Sequence, residues 1–361
     1  MTLPRWCVLT DETHSMSSTS VRQARTRHDE PHGAPRQAVV VGNPAARGVT
    51  RELVNEIGAL LHYLGAQATT LWTSRAGEAT VLTDNAVRAL ADADRPSVTV
   101  IAVGGAGTVQ EVAEGLVRGL GAWPPAAQPP ADAGMFIVPA GAGNSAYRAI
   151  WSGMEWRDAL RAACSADRQL RHIDLLHVVE TSNATLLGVN VGLGARVAEL
   201  LAAAEHVDEA IRWGAIGKAL EDSPAFPGRV TVDGQTLYEG RTSQVTVGGV
   251  RRFLGGAFEF LPRAELEDGW LDVCVIAEID EGSTADLGAL VPAGMHIGHP
   301  LVRYAKGRSA RVERTDGGEL TFEHDGDVRA PRHVTTIEAV PRVLPIAFSD
   351  PTHQYSDDPR S

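Results

Sequence analysis

Short β-branched runs alternate with Ala- and Leu-rich stretches of helical period through the first half of the chain, starting at "QAVVVGNPAARG". The pattern predicts strands at 38–42, 68–72, 98–103 and 135–138, with helices at 50–64, 77–92 and 108–120. Such alternation implies a parallel sheet covered by helices. After about residue 172 the texture changes to strand-like stretches separated by Gly, Pro and acidic turns, among them "ATLLGVNVG", "GRVTVDGQTLYEG", "SQVTVGG" and "WLDVCVIAEI". This half reads as mostly antiparallel β structure, interrupted by helical pieces at 194–221 and 282–297. A cleft is expected where the two halves meet.

Outside these patterns, residues 1–36 are rich in Ser, Thr, Arg, His and Pro with no apolar period, and read as a disordered leader. The division that follows is an α/β domain over 37–172, a β-sandwich domain over 173–346 and a flexible tail over 347–361. A length of 361 residues suits two domains. The formal charge of −12 argues against a general nucleic-acid binder. Cys7, Cys164 and Cys274 are too scattered for a disulfide framework or a zinc site, which fits a reducing, cytoplasmic setting. With no run of about 18 apolar residues, any membrane contact is expected to be peripheral, at the inner face.

Chemistry concentrates first in "VTVIAVGGAGTVQEVAEGL". Gly104, Gly105 and Gly107 follow a strand and leave the backbone open to a ligand. Thr108 and Glu111 have the spacing of a capping box, which would start the helix at Thr108 with its N–H groups facing the turn. Such a terminus suits phosphate, and a plain strand-to-helix turn is the alternative. "VVVGNPAARG" and "FIVPAGAGNSAYRAI" repeat the strand, turn, helix order, so three turns should converge on one sheet edge. Asn43 and Asn144 are either polar contacts there or caps of their own turns. Tyr147, Trp151 and Trp156, at helical spacing, read as core.

A second concentration is acidic. Asp268 and Asp272 flank Gly269, and Asp325 and Asp327 flank Gly326. Each pair is either a turn or a functional carboxylate set: Asp268 as a ligand for a hard cation, Asp325 and Asp327 as proton acceptor and neighbour.

The order "NPAARG", "GGAGTVQEVAEGL", "PAGAGNSAYRAI", "FLGGAFEFLPRAELEDGWLD" and "HDGD" resembles the diacylglycerol kinase catalytic family, over roughly residues 37–346. This family of lipid kinases is related to the sphingosine, ceramide and NAD kinases. The resemblance implies an α/β nucleotide-binding domain followed by a mostly antiparallel β-sandwich, with ATP and Mg²⁺ as cofactors and a diacylglycerol-like lipid alcohol as acceptor; a homodimer is possible. By motif position, Asn43, Thr73, Gly104, Gly105, Gly107, Thr108, Gly141 and Asn144 would serve ATP. Asp268, with main-chain oxygens of Glu265 and Trp270, would hold a structural magnesium, while Asp327 would be the base and Asp325 its neighbouring acid.

Departures from the family fall on the nucleotide side: Ala106 replaces the Asp of G-G-D-G-T, Ala46 and Arg47 replace Ser-Gly in N-P-x-S-G, and Ala142 and Ser145 replace Thr and Asp in G-T-x-N-D. Loss of a metal-organising carboxylate costs on the order of 3 kcal/mol in barrier, roughly a hundredfold in rate. A catalytically silent binding module is therefore the alternative function. Arg47 is either a substitute phosphate contact or a solvated residue. "VRRFLGG" and "RYAKGRSARVER" are either lipid-facing basic stretches or ordinary strands.

Overall fold

The computed structural model describes residues 37–91, 97–123, 132–141, 143–204 and 207–348. The expected leader over 1–36 lies outside the described residues. The first layer comprises β1 (Gln37–Gly42), α1 (Arg51–Tyr63), β2 (Gln67–Trp72), α2 (Glu78–Ala91), β3 (Val98–Gly104), α3 (Ala106–Gly119), β4 (Ala133–Pro139), α4 (Ser145–Trp151) and α5 (Trp156–Ala163). Its strands run parallel in the order β4-β3-β1-β2. Every residue of β3 is buried, as expected of a strand covered on both faces, whereas β2 at the edge is mostly exposed. In α1 the Thr50 hydroxyl accepts from the Leu53 N–H, and Val54, Ile57 and Leu61 then fall on the buried stripe. Tyr147 stacks on Trp151 at 5.2 Å between ring centroids, and both pack on Phe136. These two aromatics are core, and Trp156 packs partly buried against the same cluster.

The remaining elements are β5 (Gln169–Val178), β6 (Asn183–Thr185), β7 (Gly188–Gly192), α6 (Leu193–Ala202), α7 (Glu209–Asp222), β8 (Phe226–Val232), β9 (Gln235–Gly248), β10 (Leu271–Ala277), α8 (Glu281–Leu290), β11 (Val302–Gly307), β12 (Ser309–Arg314), β13 (Leu320–His324), β14 (Asp327–Arg332) and β15 (Val334–Phe348). They form the antiparallel succession β14-β13-β7-β9-β8-β12-β15, with β10 and β11 added at β9. Alternating burial along β8 turns Val230 and Val232 into a core shared with Val245, Val273, Val312, Phe322 and Ile337.

Three features differ from the sequence reading. The helical piece at 194–221 is two helices, α6 and α7, and the one at 282–297 stops at Leu290, where Pro292 follows within two residues. The two sheets are continuous: β15 pairs antiparallel with β12 and β5, then reaches β4 in parallel register at Ile346 and Met135. Ala347 and Phe348, read as the start of the tail, complete β15 opposite Leu170 and Gln169 because the apolar end of the strand is drawn into the first layer's core. Residues 349–361 lie outside the described residues.

Gly188, at the start of β7, has φ +147°, and a Cβ there would lie 2.2 Å from the Val247 carbonyl oxygen. Backbone cannot yield as a side-chain tip can. Gly188→Ala is expected to lower unfolding free energy by about 3 kcal/mol, measured by urea denaturation.

Candidate functional site

The turns after β1, β3 and β4 lie side by side because their strands are parallel neighbours. Helix α3 begins at Ala106, two residues before the expected start, with Gly105 as its N-cap and no side-chain cap on its first N–H groups. The capping-box reading is overturned. Thr108 is already within the first turn, where its hydroxyl accepts from Asn43 Nδ2 at 3.1 Å. The Glu111 carboxylate instead accepts from the N–H groups of Gly77 at 2.7 Å and Ala79 at 3.1 Å, satisfying the start of α2. The uncapped N–H groups of α3 and its positive dipole end therefore remain available to an anion.

Glycine is required around this point. A Cβ at Gly104 would lie 2.6 Å from the Thr108 hydroxyl, and one at Gly141 would lie 3.1 Å from the Gly105 Cα. A Cβ at Gly105 would meet nothing within 4 Å, so that residue's free side opens into space. Asn144, in left-handed conformation at φ 52°, accepts from the Gly141 N–H at 2.9 Å and closes the third turn. Asn43 both caps its own turn, through Ala45 N–H at 2.9 Å, and reaches Thr108. Thr73 is buried at the end of β2, its N–H donating to the Gly42 carbonyl at 3.0 Å; it shares the sheet edge but stands two strands from β3. Arg47 is exposed, and its guanidinium donates to the Ala204 carbonyl at 2.5 Å, just beyond α6. Ala142 lies outside the described residues.

The acidic hairpin meets this turn from the other layer. Asp325 and Gly326, with φ of 51° and 88°, form the two-residue turn between β13 and β14. Asp325 is buried, and its carboxylate accepts from the N–H groups of Leu186 and Leu187, each at 2.7 Å, and Gly188 at 3.3 Å. Burial pushes its pKa up, while these N–H groups oppose the shift. The position expected to hold a second catalytic acid thus holds an anchor, because both oxygens are committed to backbone. Asp327 points the other way: a Cβ at Gly107 would lie 2.5 Å from its Oδ2. Although its side chain is half exposed, desolvation by the surrounding protein raises its pKa, with Arg329 at 3.4 Å pulling down. Ala106 faces the same hairpin, 3.3 Å from where a Cβ on Gly326 would sit.

Glu323 is the residue that sequence reading missed. Buried on β13, it accepts from Asn190 Nδ2 at 2.7 Å and from the Gly326 N–H. Asn190 in turn accepts from Gln244 at 3.0 Å and Thr246 at 2.8 Å. Glu323 lines an otherwise largely apolar cavity of about 290 Å³, together with Ala106, Tyr147, Leu187 and Leu201. Burial pushes its pKa up to about 7. Its sequence signal was an acid inside the apolar strand "LTFEH", two residues before the Asp-Gly pair.

The Asp268 turn is occupied by the protein's own cation. Its Oδ1 accepts from the Trp270 N–H at 3.0 Å, and its Oδ2 is paired with Lys306 Nζ at 2.5 Å. The same ammonium lies 3.7 Å from buried Asp272 and 3.5 Å from the Arg263 carbonyl. Among the described residues no group of three His, Cys, Asp or Glu side chains is placed to hold a metal ion. A magnesium bound by Asp268 with the Glu265 and Trp270 carbonyls does not fit this arrangement, because Lys306 already neutralises the carboxylate.

Comparison with known proteins follows the same two layers. The family described as Diacylglycerol kinase catalytic domain matches residues 37–178, and the one described as YegS C-terminal NAD kinase beta sandwich-like domain matches residues 188–348. The diacylglycerol kinase of Staphylococcus carnosus is 21% identical over 81% of this chain and 89% of its own. A protein named probable lipid kinase YegS-like from Xanthomonas euvesicatoria is 28% identical over 68% of this chain and 77% of its own. The crystal structure of a diacylglycerol kinase from Bacillus anthracis superposes with a TM-score of 0.59 at 19% identity, covering 91% of this chain and 99% of that one, and so shares the fold.

Two outcomes are expected. Asp325→Ala leaves three backbone N–H groups without their acceptor and should cost about 3 kcal/mol in urea denaturation, whereas Asp327→Asn should stay within about 1 kcal/mol of wild type. For Glu323, a folded-state pKa of about 7 against 4.5 means the unfolded chain ionises first, so its contribution to stability falls as pH rises through that interval. Between pH 4 and pH 8, unfolding free energies of Glu323→Gln and wild type should diverge by about 3 kcal/mol in favour of the variant.

Proposed function

Because the chain belongs to the diacylglycerol kinase catalytic-domain family, we propose that it is an ATP-dependent lipid kinase acting on a diacylglycerol-like lipid alcohol. The observation that supports this most directly is the contact of Asp327 with Gly107, which sets a carboxylate beside a phosphate-sized glycine turn and an apolar cavity. The uncapped N–H groups of Ala106 to Thr108 receive the phosphates, braced by the Asn43–Thr108 hydrogen bond and by the Gly141–Asn144 turn. Thr73 serves the same donor from the end of β2, two strands along the same sheet edge. The acyl portion of the acceptor lies against the apolar wall of the cavity formed by Leu201, Phe253 and Leu254, across from the glycine turn, and its hydroxyl is brought to Asp327 beside Gly107.

In the reaction the acceptor oxygen attacks the γ-phosphorus, a new O–P bond forms, and the bond to the bridging oxygen of ADP breaks. Asp327 takes the hydroxyl proton; its raised pKa and the nearby helix dipole suit a carboxylate that must both gain and release one. Magnesium arriving with the nucleotide would neutralise phosphate charge, and Asp327 is the carboxylate facing that space. Among the described residues no helix is long and apolar enough to cross a membrane; in this reading the acceptor is met by peripheral contact at the cytoplasmic face.

The test is phosphorylation of dioleoylglycerol in mixed micelles by the full chain with radiolabelled ATP and Mg²⁺. Labelled phosphatidate is expected. Asp327→Asn should reduce its formation about a hundredfold, and Ala106→Asp should raise it by up to about a hundredfold. Nucleotide binding without transfer to any lipid alcohol would overturn the assignment and leave a binding module.

A further inference from the structure

A second concavity, of about 650 Å³, shares Ser145, at the start of α4, with the apolar cavity. It presents Arg148, Arg171, Arg251 and Arg252 against only two acids, Glu265 and Glu267, in a chain whose formal charge is −12. The arginines come from three segments: α4, β5 and the loop after β9. That loop, "VRRFLGG", is not the strand that its sequence allowed. It turns sharply, with Leu254, Gly255 and Gly256 all at positive φ, and places Arg148 along Gly256.

Two of the guanidinium groups are fixed by carboxylates. Arg171 pairs with Glu267, and Arg252 pairs with Glu259 at 2.5 Å. The other two are not. Arg251 makes one long contact, from Nε to the Ala264 carbonyl at 3.4 Å, which leaves both terminal nitrogens unengaged among the described residues. Arg148, exposed at the rim of the groove, has no hydrogen-bond or ion-pair partner among the described residues. Two uncommitted guanidinium groups beside two immobilised ones offer planar donor pairs suited to a tetrahedral oxyanion.

We propose that this groove is a binding site for a phosphate group, contacted by Arg148 and Arg251 and distinct from the glycine turn. The chemistry is shared by free phosphate and by the phosphate head of a lipid whose tail enters the adjoining cavity past Ser145. The site does not depend on the phosphotransfer reading, since occupancy is measured without nucleotide or turnover.

Calorimetric titration of the full chain with inorganic phosphate and with water-soluble dihexanoyl phosphatidate tests it. Binding is expected, and Arg148→Ala with Arg251→Ala should weaken it at least tenfold, whereas Arg196→Ala, which pairs with Glu199 on its own helix α6 and with Asp222 on α7, should not. Phosphatidate binding at least tenfold tighter than phosphate would identify a lipid head as the source; equal affinities would identify free phosphate. Because the glycine turn is itself proposed to take phosphate, the double variant is decisive: affinity unchanged by it would overturn the site. Hydrogen exchange supplies a second readout on the wild-type chain, with amides of 249–256 expected to slow when phosphate is added. No binding of either probe up to millimolar concentration would likewise overturn it.

Discussion

Everything at the cleft depends on one buried carboxylate holding a loop. Asp325 accepts three successive N–H groups from residues 186–188, and this fixes the β13–β14 hairpin against the segment that leads into β7. With the hairpin fixed, Asp327 can lie against Gly107 and Glu323 can face the cavity without either residue carrying the load of folding. Charged acceptors of backbone N–H groups are among the stronger hydrogen bonds available to a protein, and here they offset the desolvation of the acid. The arrangement is specific to Asp followed by Gly, because the two-residue turn needs positive φ at both positions.

The glycine turn and the hairpin approach each other closely at Gly107 and Gly326. A methyl group at Gly107 would displace Asp327, and one at Gly326 would crowd Ala106. Substitution of the family's Asp by Ala at 106 therefore leaves room beside an acid-rich hairpin, where Glu323 and Asp327 already supply carboxylates. Two further cations are placed at turns: Lys306 pairs with Asp268, and Arg47 bridges from the first turn to the end of α6.

The continuous sheet explains how the two layers keep this register. β15 belongs to both, pairing with β12 in the sandwich and with β5 and β4 beside the parallel strands. Asp174, on β5, strengthens the join by accepting from the N–H groups of Gly269, before β10, at 2.6 Å and of Arg342, on β15, at 2.7 Å. Long-range pairing of this kind is invisible to a window of ten or fifteen residues.

The sequence by itself determined the element types, the parallel character of the first layer, the Asp-Gly hairpin and the glycine turns, because each follows from local period or from the few residues that tolerate positive φ. It also set the order of the motifs by which the family is recognised. What only the tertiary structure decided was which polar groups meet: that Glu111 serves α2 rather than its own helix, that Asp325 is an anchor while Asp327 faces the cleft, that Glu323 is buried beside the apolar cavity, and that Lys306 stands where a metal was expected. These outcomes depend on hydrogen bonds and ion pairs between residues far apart in the chain, and the energy that selects among them exists only once the layers have packed.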